Sequence, residues 1–426
     1  MEKVLIVTYY WPPAGGPGVQ RWLKFVKYMK DFGMEPVVYI PKNPHYPLRD
    51  ESFLGEVPKD LTVYSMPIWE PYGLSGVFSK KKTKRISSGI ITSKEQSFME
   101  RAMLWVRGNL FVPDARKYWV RPSIKFLHKK IAEENVKTII TTGPPHSLHL
   151  IGLGLKRVSG VQWIADFRDP WTSIGYHKKL KLGKRAEKKH AKLESLVLNG
   201  ADKVIVTSNT TKKEFEGITK SPIQVITNGF DGKAPEFSHL DSKFTISHIG
   251  SLLSGRNPIG FWKVLQELIR ENKDFAEHFR LQLIGVVSED VLETIESFGI
   301  SPYITVTGYL SHTQALQKQQ RSQVLLLVEM DEPETMGIIP GKLFEYMMAK
   351  RPILALGPVD WEVGTIIAET QTGSCFGYTD TQEVKQLLLK WFQAYRNGGL
   401  HIRPMDIDSY SRRELTRKLV DFIRWE

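Results

Sequence analysis

The chain has 426 residues, 41% hydrophobic and 25% charged, a composition that suits two or three folded domains and excludes a wholly disordered chain. No run approaches about 18 consecutive apolar residues, which argues against a spanning helix, and the single cysteine, Cys375, excludes an intrachain disulfide framework and fits a reducing compartment. The net charge of +13 is uneven: residues 1–235 hold 39 Lys/Arg against 21 Asp/Glu, and residues 236–426 hold 20 against 25, so the first part suits a polyanion, an anionic membrane or a phosphorylated substrate.

In chain order, Val4–Thr8 is a β-branched run suited to a parallel strand buried on both faces. After a glycine loop, Val19, Trp22, Leu23, Val26 and Met29 recur at helical spacing and Gly33 ends the run. Strands follow at Pro36–Ile40, Val136–Thr142, Val161–Phe167, Lys203–Thr207 and Gln224–Ile226. Helices are predicted at Ser147–Arg157 and at Lys184–Asn199, the latter closed by Gly200. Ser65–Trp119 is the least regular stretch and contains a basic run, Lys80–Arg85. The short polar segment Gly232–Lys243 marks a domain boundary, and the pattern then restarts with a strand at Phe244–Ile249, a helix at Pro258–Glu271 and strands at Arg280–Gly285, Ile304–Thr307, Val324–Val328 and Ile353–Leu356. The alternation predicts an α/β protein of two doubly wound parallel-sheet domains, 1–235 and 236–405. Residues 406–426 form a tail helix, and Asp406–Asp408 precedes the capping box Ser411-x-x-Glu414 rather than marking a metal site.

Five loops between a strand and a helix carry residues with chemical potential. Gly15, Gly16 and Gly18 let the backbone approach a ligand at a helix start, but no acid ends the second strand, which disfavours a dinucleotide, and no P-loop is present. Asp166, Arg168 and Asp169 end a strand where open α/β sheets hold their sites. Arg168 suits a phosphate or carboxylate, and either aspartate suits a substrate hydroxyl; a structural ion pair is the competing reading. His146 and Ser147 begin a helix after Gly143, in a direct or a merely structural role. Gly250, Ser251 and Arg256 suit a diphosphate held by backbone amides and a guanidinium, with an ordinary strand-to-helix turn as the alternative. Gly341, Lys342, Leu343 and Glu345 pair a cation at a helix start with a carboxylate placed for a ribose diol.

Taken together with Ser208-Asn209 and Thr227-Asn228-Gly229, these segments resemble the family 4-like retaining glycosyltransferases of the GT-B fold over nearly the whole chain. The resemblance implies two Rossmann-like domains facing across a cleft, with the last helix crossing back to the first. It implies a nucleoside-diphosphate sugar as co-substrate on the second domain, and an acceptor near Gly15, Gly16, Gly18, His146, Ser208 and Asn228. It further implies metal-independent transfer with no cofactor, in which Arg256 and Lys342 stabilise the leaving diphosphate. Ser251 stands where the family often has an arginine, Gly337 stands eight positions before Glu345 where the family has a second glutamate, and Arg168-Asp169 stand where many relatives have a histidine.

The leading function is glycosyl transfer in bacterial surface polysaccharide or glycolipid assembly, at the cytoplasmic face of a membrane drawn to the basic first part. Nucleotide-sugar epimerisation, with His146 and Asp169 as proton-transfer candidates, is the second enzymatic reading. Non-catalytic binding of RNA or another polyanion is the third, and no RNA-binding signature supports it.

Overall fold

The computed structural model describes residues 1–70, 98–178, 180–232 and 239–425. The basic run Lys80–Arg85 and residues 233–238 of the expected boundary segment lie outside them. Contacts divide the chain into two units, Met1–Asn228 with Arg412–Glu426, and Gly229–Ser411.

The first unit is built on a seven-stranded parallel sheet in the order β3-β2-β1-β4-β5-β6-β7. Its strands are β1 (Glu2–Val7), β2 (Met34–Pro41), β3 (Thr62–Met66), β4 (Thr138–Gly143), β5 (Gln162–Phe167), β6 (Lys203–Val206) and β7 (Ile223–Val225). Helices α1 (Pro17–Met29), α2 (Phe98–Leu110), α3 (Val120–Glu133), α4 (Ser147–Ser159), α5 (Lys184–Gly200) and α6 (Asn209–Glu216) connect them. The β-branched β1 is buried on both faces, with Leu5 and Val7 in one apolar cluster and Val4 and Ile6 in the other. That division explains its unbroken apolar run.

The second unit holds a six-stranded parallel sheet in the order β10-β9-β8-β11-β12-β13. Its strands are β8 (Phe244–Ile249), β9 (Phe279–Ile284), β10 (Ile304–Thr307), β11 (Val324–Val328), β12 (Ile353–Leu356) and β13 (Gly373–Phe376). The helices that matter below are α7 (Ile259–Glu271), α8 (Glu289–Ser297), α9 (His312–Arg321), α10 (Lys342–Met348), α11 (Glu362–Thr370) and α12 (Thr381–Arg396). In each sheet the strand order reverses once, between β1 and β4 and between β8 and β11. Such switch points open a crevice beyond the carboxyl ends of the strands.

Three elements, α2, β3 and β13, depart from the sequence expectation. The stretch read as irregular contains α2, whose sequence FMERAMLWVRGNL spreads apolar residues around the helix and so lacks a clean period. The edge strands β3 and β13 were not predicted, because TVYSM and GSCF are short and only half-buried. The first helix also ends before Gly33, since a 3-10 turn, Lys30–Phe32, carries the chain to that left-handed glycine.

The tail helix, α13 (Arg412–Arg424), packs on α1, with Leu415, Leu419, Val420, Phe422 and Ile423 in the same apolar cluster as Val19, Trp22 and Val26. Its C-terminal carbonyls would be unsatisfied without a donor. Buried Lys203 of β6 supplies one, donating to the Phe422 and Ile423 oxygens at 3.0 Å each and to that of Trp425. An ammonium at a helix C-terminus is also favoured by the helix dipole. The substitution Lys203→Met is expected to cost about 2–3 kcal/mol, read as a lower urea midpoint with faster amide exchange over residues 419–425. An unchanged midpoint would remove Lys203 from this role.

Candidate functional site

In the second unit, the expected phosphate turn follows β8 at the switch point. Gly250 has φ +129°, a conformation that side chains rarely adopt, and a Cβ there would lie 2.8 Å from Lys342 Nζ. The turn is anchored by Gly250 N–H donating to the Ile284 oxygen and Leu252 N–H to the Val286 oxygen, both at 2.8 Å. One turn beyond Lys342 on α10, the buried Tyr346 hydroxyl accepts from Ile249 N–H at 2.9 Å. That bond ties α10 to the end of β8 and places the Lys342 ammonium against the Gly250 backbone.

Charge at this turn is divided unequally. Arg256 forms a fork with Glu329 at the end of β11, Nε to Oε1 at 2.8 Å and Nη2 to Oε2 at 3.1 Å. Glu329 is 1% exposed and also accepts Met330 N–H. A buried carboxylate in bidentate contact largely compensates the guanidinium. Lys342 has no hydrogen bond or ion pair among the described residues. Its pKa is pushed down to about 8, mainly by burial and then by the neighbouring Arg256, against the pull of Glu329 and Glu345. Glu345 receives bonds from Gln319 Nε2 at 3.0 Å and pairs with His312 Nε2 at 3.1 Å, both on α9. Gly341 is the N-cap of α10 and Leu343 is buried beneath it, while Ser251 is exposed.

In the first unit, Asp166 at the end of β5 is fully buried. It pairs with Arg21 Nη2 at 2.9 Å and accepts from Trp22 Nε1 and Thr142 Oγ1 at 2.8 Å each. The Arg21 charge and these bonds hold its pKa low against burial. Asp166 is therefore an internal ion pair that locks α1 to the sheet, and it is not exposed to a ligand. Arg168 instead reaches the glycine loop. Its guanidinium donates to the Gly143 and Pro144 oxygens, and a Cβ on Gly18 would lie 1.8 Å from its Nη1. A side chain at position 18 would therefore displace the Arg168 guanidinium from this place. Asp169, next in sequence, has no partner among the described residues, and burial raises its pKa.

The remaining candidates in this unit divide further. His146 is buried and stacks on Trp171, with ring centres 4.7 Å apart and planes within 4°. Ser208 is buried as the N-cap of α6, accepting from Thr211 N–H. Gly15 packs against Leu48, Gly16 caps α1, and Asn228 is half-buried at the end of the unit.

Residues 87–233 match the family model described as Glycosyltransferase Family 4. The structure is similar to Anabaena Alr3699/HepE in complex with UDP-glucose, at TM-score 0.60 and 11% identity, covering 99% of both chains. It is also similar to the lipopolysaccharide outer core galactosyltransferase WaaB, at TM-score 0.57 and 13% identity, covering 99% of both chains. A third likeness is to a putative UDP-N-acetylglucosamine 2-epimerase from Listeria monocytogenes, at TM-score 0.53 and 13% identity, covering 99% of this chain and 95% of that one. The chain has the GT-B fold. No sequence match to a curated protein is significant.

Two groups in this GT-B chain escaped the sequence reading. Glu329 was missed although it is the first charged residue after the apolar run Val324–Val328, at a strand's carboxyl end. A buried imidazole cluster was also missed. His149 stacks on Phe167 at 4.3 Å and bonds Thr141 Oγ1, and His177 meets His190 edge-on at 4.6 Å near Trp171. Only the packing of α4, α5 and the short helical turn Gly175–Lys178 reveals it.

Burial depresses the pKa of all four histidines, His149 to about 3 and His177 to about 4. Between about pH 6.5 and 4 the unfolded chain binds protons at these sites that the folded chain does not. Stability is therefore fully present above pH 6.5 and falls as the solution is acidified, by up to about 1.4 kcal/mol per pH unit for each fully neutral histidine. The raised pKa of Asp169 and of Glu194 offsets part of this at the lower end. Urea midpoints at pH 7 and pH 5 should differ, and equal midpoints would contradict a neutral buried cluster.

Proposed function

We propose that the protein transfers a sugar from a nucleoside-diphosphate sugar to an acceptor hydroxyl, with retention at the anomeric carbon and without a metal ion. The observation that carries this reading is the Lys342 ammonium, which has no ion-pair partner among the described residues and rests against the Gly250 backbone at the switch point. A diphosphate is a ligand that suits this group, because the lysine supplies a charge-assisted bond to a phosphate oxygen. Glu345 lies one turn along the same helix, where exchange of its His312 and Gln319 bonds for a ribose diol completes a nucleotide site.

In the proposed reaction the bond between the anomeric carbon and the diphosphate oxygen breaks, and the electron pair leaves with the diphosphate. Lys342 neutralises the charge that develops there, while Arg256 contributes less because Glu329 holds it. The acceptor oxygen forms its bond on the face just vacated, and its proton passes to the departing phosphate. Asp169 is the acceptor-side group of choice, a carboxylate with no partner among the described residues at the carboxyl end of β5. The UDP-glucose complex of HepE and the galactosyltransferase activity named for WaaB support a nucleotide-sugar donor.

The acceptor class that suits this chemistry is a saccharide or lipid-linked saccharide of bacterial surface polysaccharide or glycolipid assembly. We place the enzyme in the cytoplasm, with the basic residues of its first part drawn to the anionic inner face of the cell membrane. The epimerase likeness supports a second reading. Against it, burial holds the His146 pKa far below neutrality, which suits a proton-transfer role poorly. Release of an epimerised sugar in the absence of any acceptor would nonetheless establish it.

Because Lys342 loses its proton near pH 8 in the free protein and a diphosphate favours its charged form, affinity should fall as pH rises through 8. The fall is up to about tenfold per pH unit until the pKa of the bound form is reached. Calorimetry with UDP between pH 6.5 and 9.5 checks this, with Lys342→Gln expected to bind weakly and with a flat profile. EDTA should leave binding and transfer unchanged. A flat wild-type profile, or a sloping one in the variant, would remove Lys342 from the diphosphate.

A further inference from the structure

The outward side of α2 is apolar where a solvated helix would be polar. Its inward side is fixed: Leu104 is buried, and Gly108 packs so closely that a Cβ there would come within 2.6 Å of Leu182 Cδ2. Asn109 ties the same end of the helix to the backbone of Lys181 and Gly183. Opposite these anchors lie Ala102, Trp105, Val106 and Leu110, all exposed, Trp105 by 48% and Leu110 by 55%.

The patch continues past the helix. Trp69 and Tyr118, 55% and 51% exposed, meet edge-on with ring centres 5.1 Å apart. Lys117 joins the two parts, since its ammonium donates to the Leu110 oxygen at 2.6 Å and lies 5.0 Å from the centre of the Tyr118 ring. Single exposed apolar residues are ordinary, but a group of five aromatic or large aliphatic residues marks an interaction surface.

The charge around this patch has one sign. Residues 101–121 contain five Arg/Lys and a single acid, Asp114, and Asp114 is used internally, accepting from Ser147 N and Oγ at 2.8 Å each. Arg101 and Arg121 are exposed. No described helix is long and apolar enough to cross a membrane, so a bilayer contact here is one made at the surface. Tryptophan and tyrosine favour the membrane–water interface, and arginine and lysine favour anionic headgroups. A second copy of the chain fits less well, because a two-fold contact would bring two cationic rims together.

We infer that Trp69, Trp105, Val106, Leu110 and Tyr118 form the face that docks on an anionic phospholipid bilayer, with Arg101, Lys117 and Arg121 meeting the headgroup phosphates. This rests on the membrane clause of the proposed function and is independent of the transfer chemistry.

Co-sedimentation of the full chain tests it, with vesicles of phosphatidylcholine alone and of phosphatidylcholine with about one-third phosphatidylglycerol. The protein should bind the second and not the first. Trp105→Ser with Leu110→Ser should lower vesicle affinity by about tenfold or more. Arg101→Gln with Arg121→Gln should lower it by about fivefold per charge and weaken its salt dependence. Both variants should keep the wild-type unfolding midpoint and UDP affinity. Equal vesicle binding by the Trp105/Leu110 variant would assign any membrane contact to other basic surface and overturn the inference, as would absence of vesicle binding. A concentration-dependent dimer abolished by the same variant would assign the face to a second copy. Vesicle binding by a protein that binds no nucleotide would sustain this inference while sinking the transfer reading.

Discussion

A buried carboxylate, Glu329, pairs directly with Arg256, while Lys342 feels Glu329 and Glu345 only at a distance and has no direct ion pair among the described residues. The functional account depends on this division. Had both cations been paired, the turn after β8 would be an ordinary strand-to-helix connection. Had neither been paired, two cations would repel across a partly dry pocket at a cost in stability. With one cation paired and the other not, Lys342 is the group to which the proposed function assigns an anionic ligand. The same turn is held by backbone bonds to β9 and by the Tyr346 hydroxyl, so the ammonium is positioned before the ligand binds, the condition for electrostatic stabilisation without reorganisation.

The first unit follows the same logic with the sign reversed. Asp166 and Asp169 stand three positions apart at the end of one strand, and their surroundings give them different work. Asp166 is enclosed by Arg21, Trp22 and Thr142 and fastens α1 beneath the sheet. Asp169 has no hydrogen-bonding partner among the described residues, and burial lifts its pKa against the pull of Arg168. Arg168 between them links the α1 glycine loop to the turn after β4 through its contacts with Gly18, Gly143 and Pro144. The scaffold is thus braced by one aspartate and one arginine.

Much of the fold was legible because parallel strands buried on both faces produce unbroken apolar runs. Val4–Thr8 and Val324–Val328 show this plainly, and helices such as α1 show an equally plain period. The edge strands were not legible, since β3 and β13 lack that double burial, and α2 was obscured by the apolar face it turns outward. Residue type and position identified Lys342, Glu345 and Gly250 in the second unit, and Asp169 in the first, as candidates. Sequence could not separate Asp166 from Asp169, because the difference lies in Arg21, 145 positions away. Nor could it foresee that Arg256 would be held by Glu329, 73 positions away. Pairings over such separations are set by the order of the strands, and no local pattern encodes them.

The central claim, that Lys342 is the free cation of a nucleoside-diphosphate site, is tested most directly by calorimetry with UDP, GDP, ADP and dTDP on the wild-type chain and on Lys342→Ala. The account predicts that at least one nucleotide binds, and that the substitution weakens it by about 1.5–3 kcal/mol, or roughly ten- to a hundredfold, with no loss of folding stability. Binding that is unaffected by Lys342→Ala, or no binding by any of the four, would contradict it.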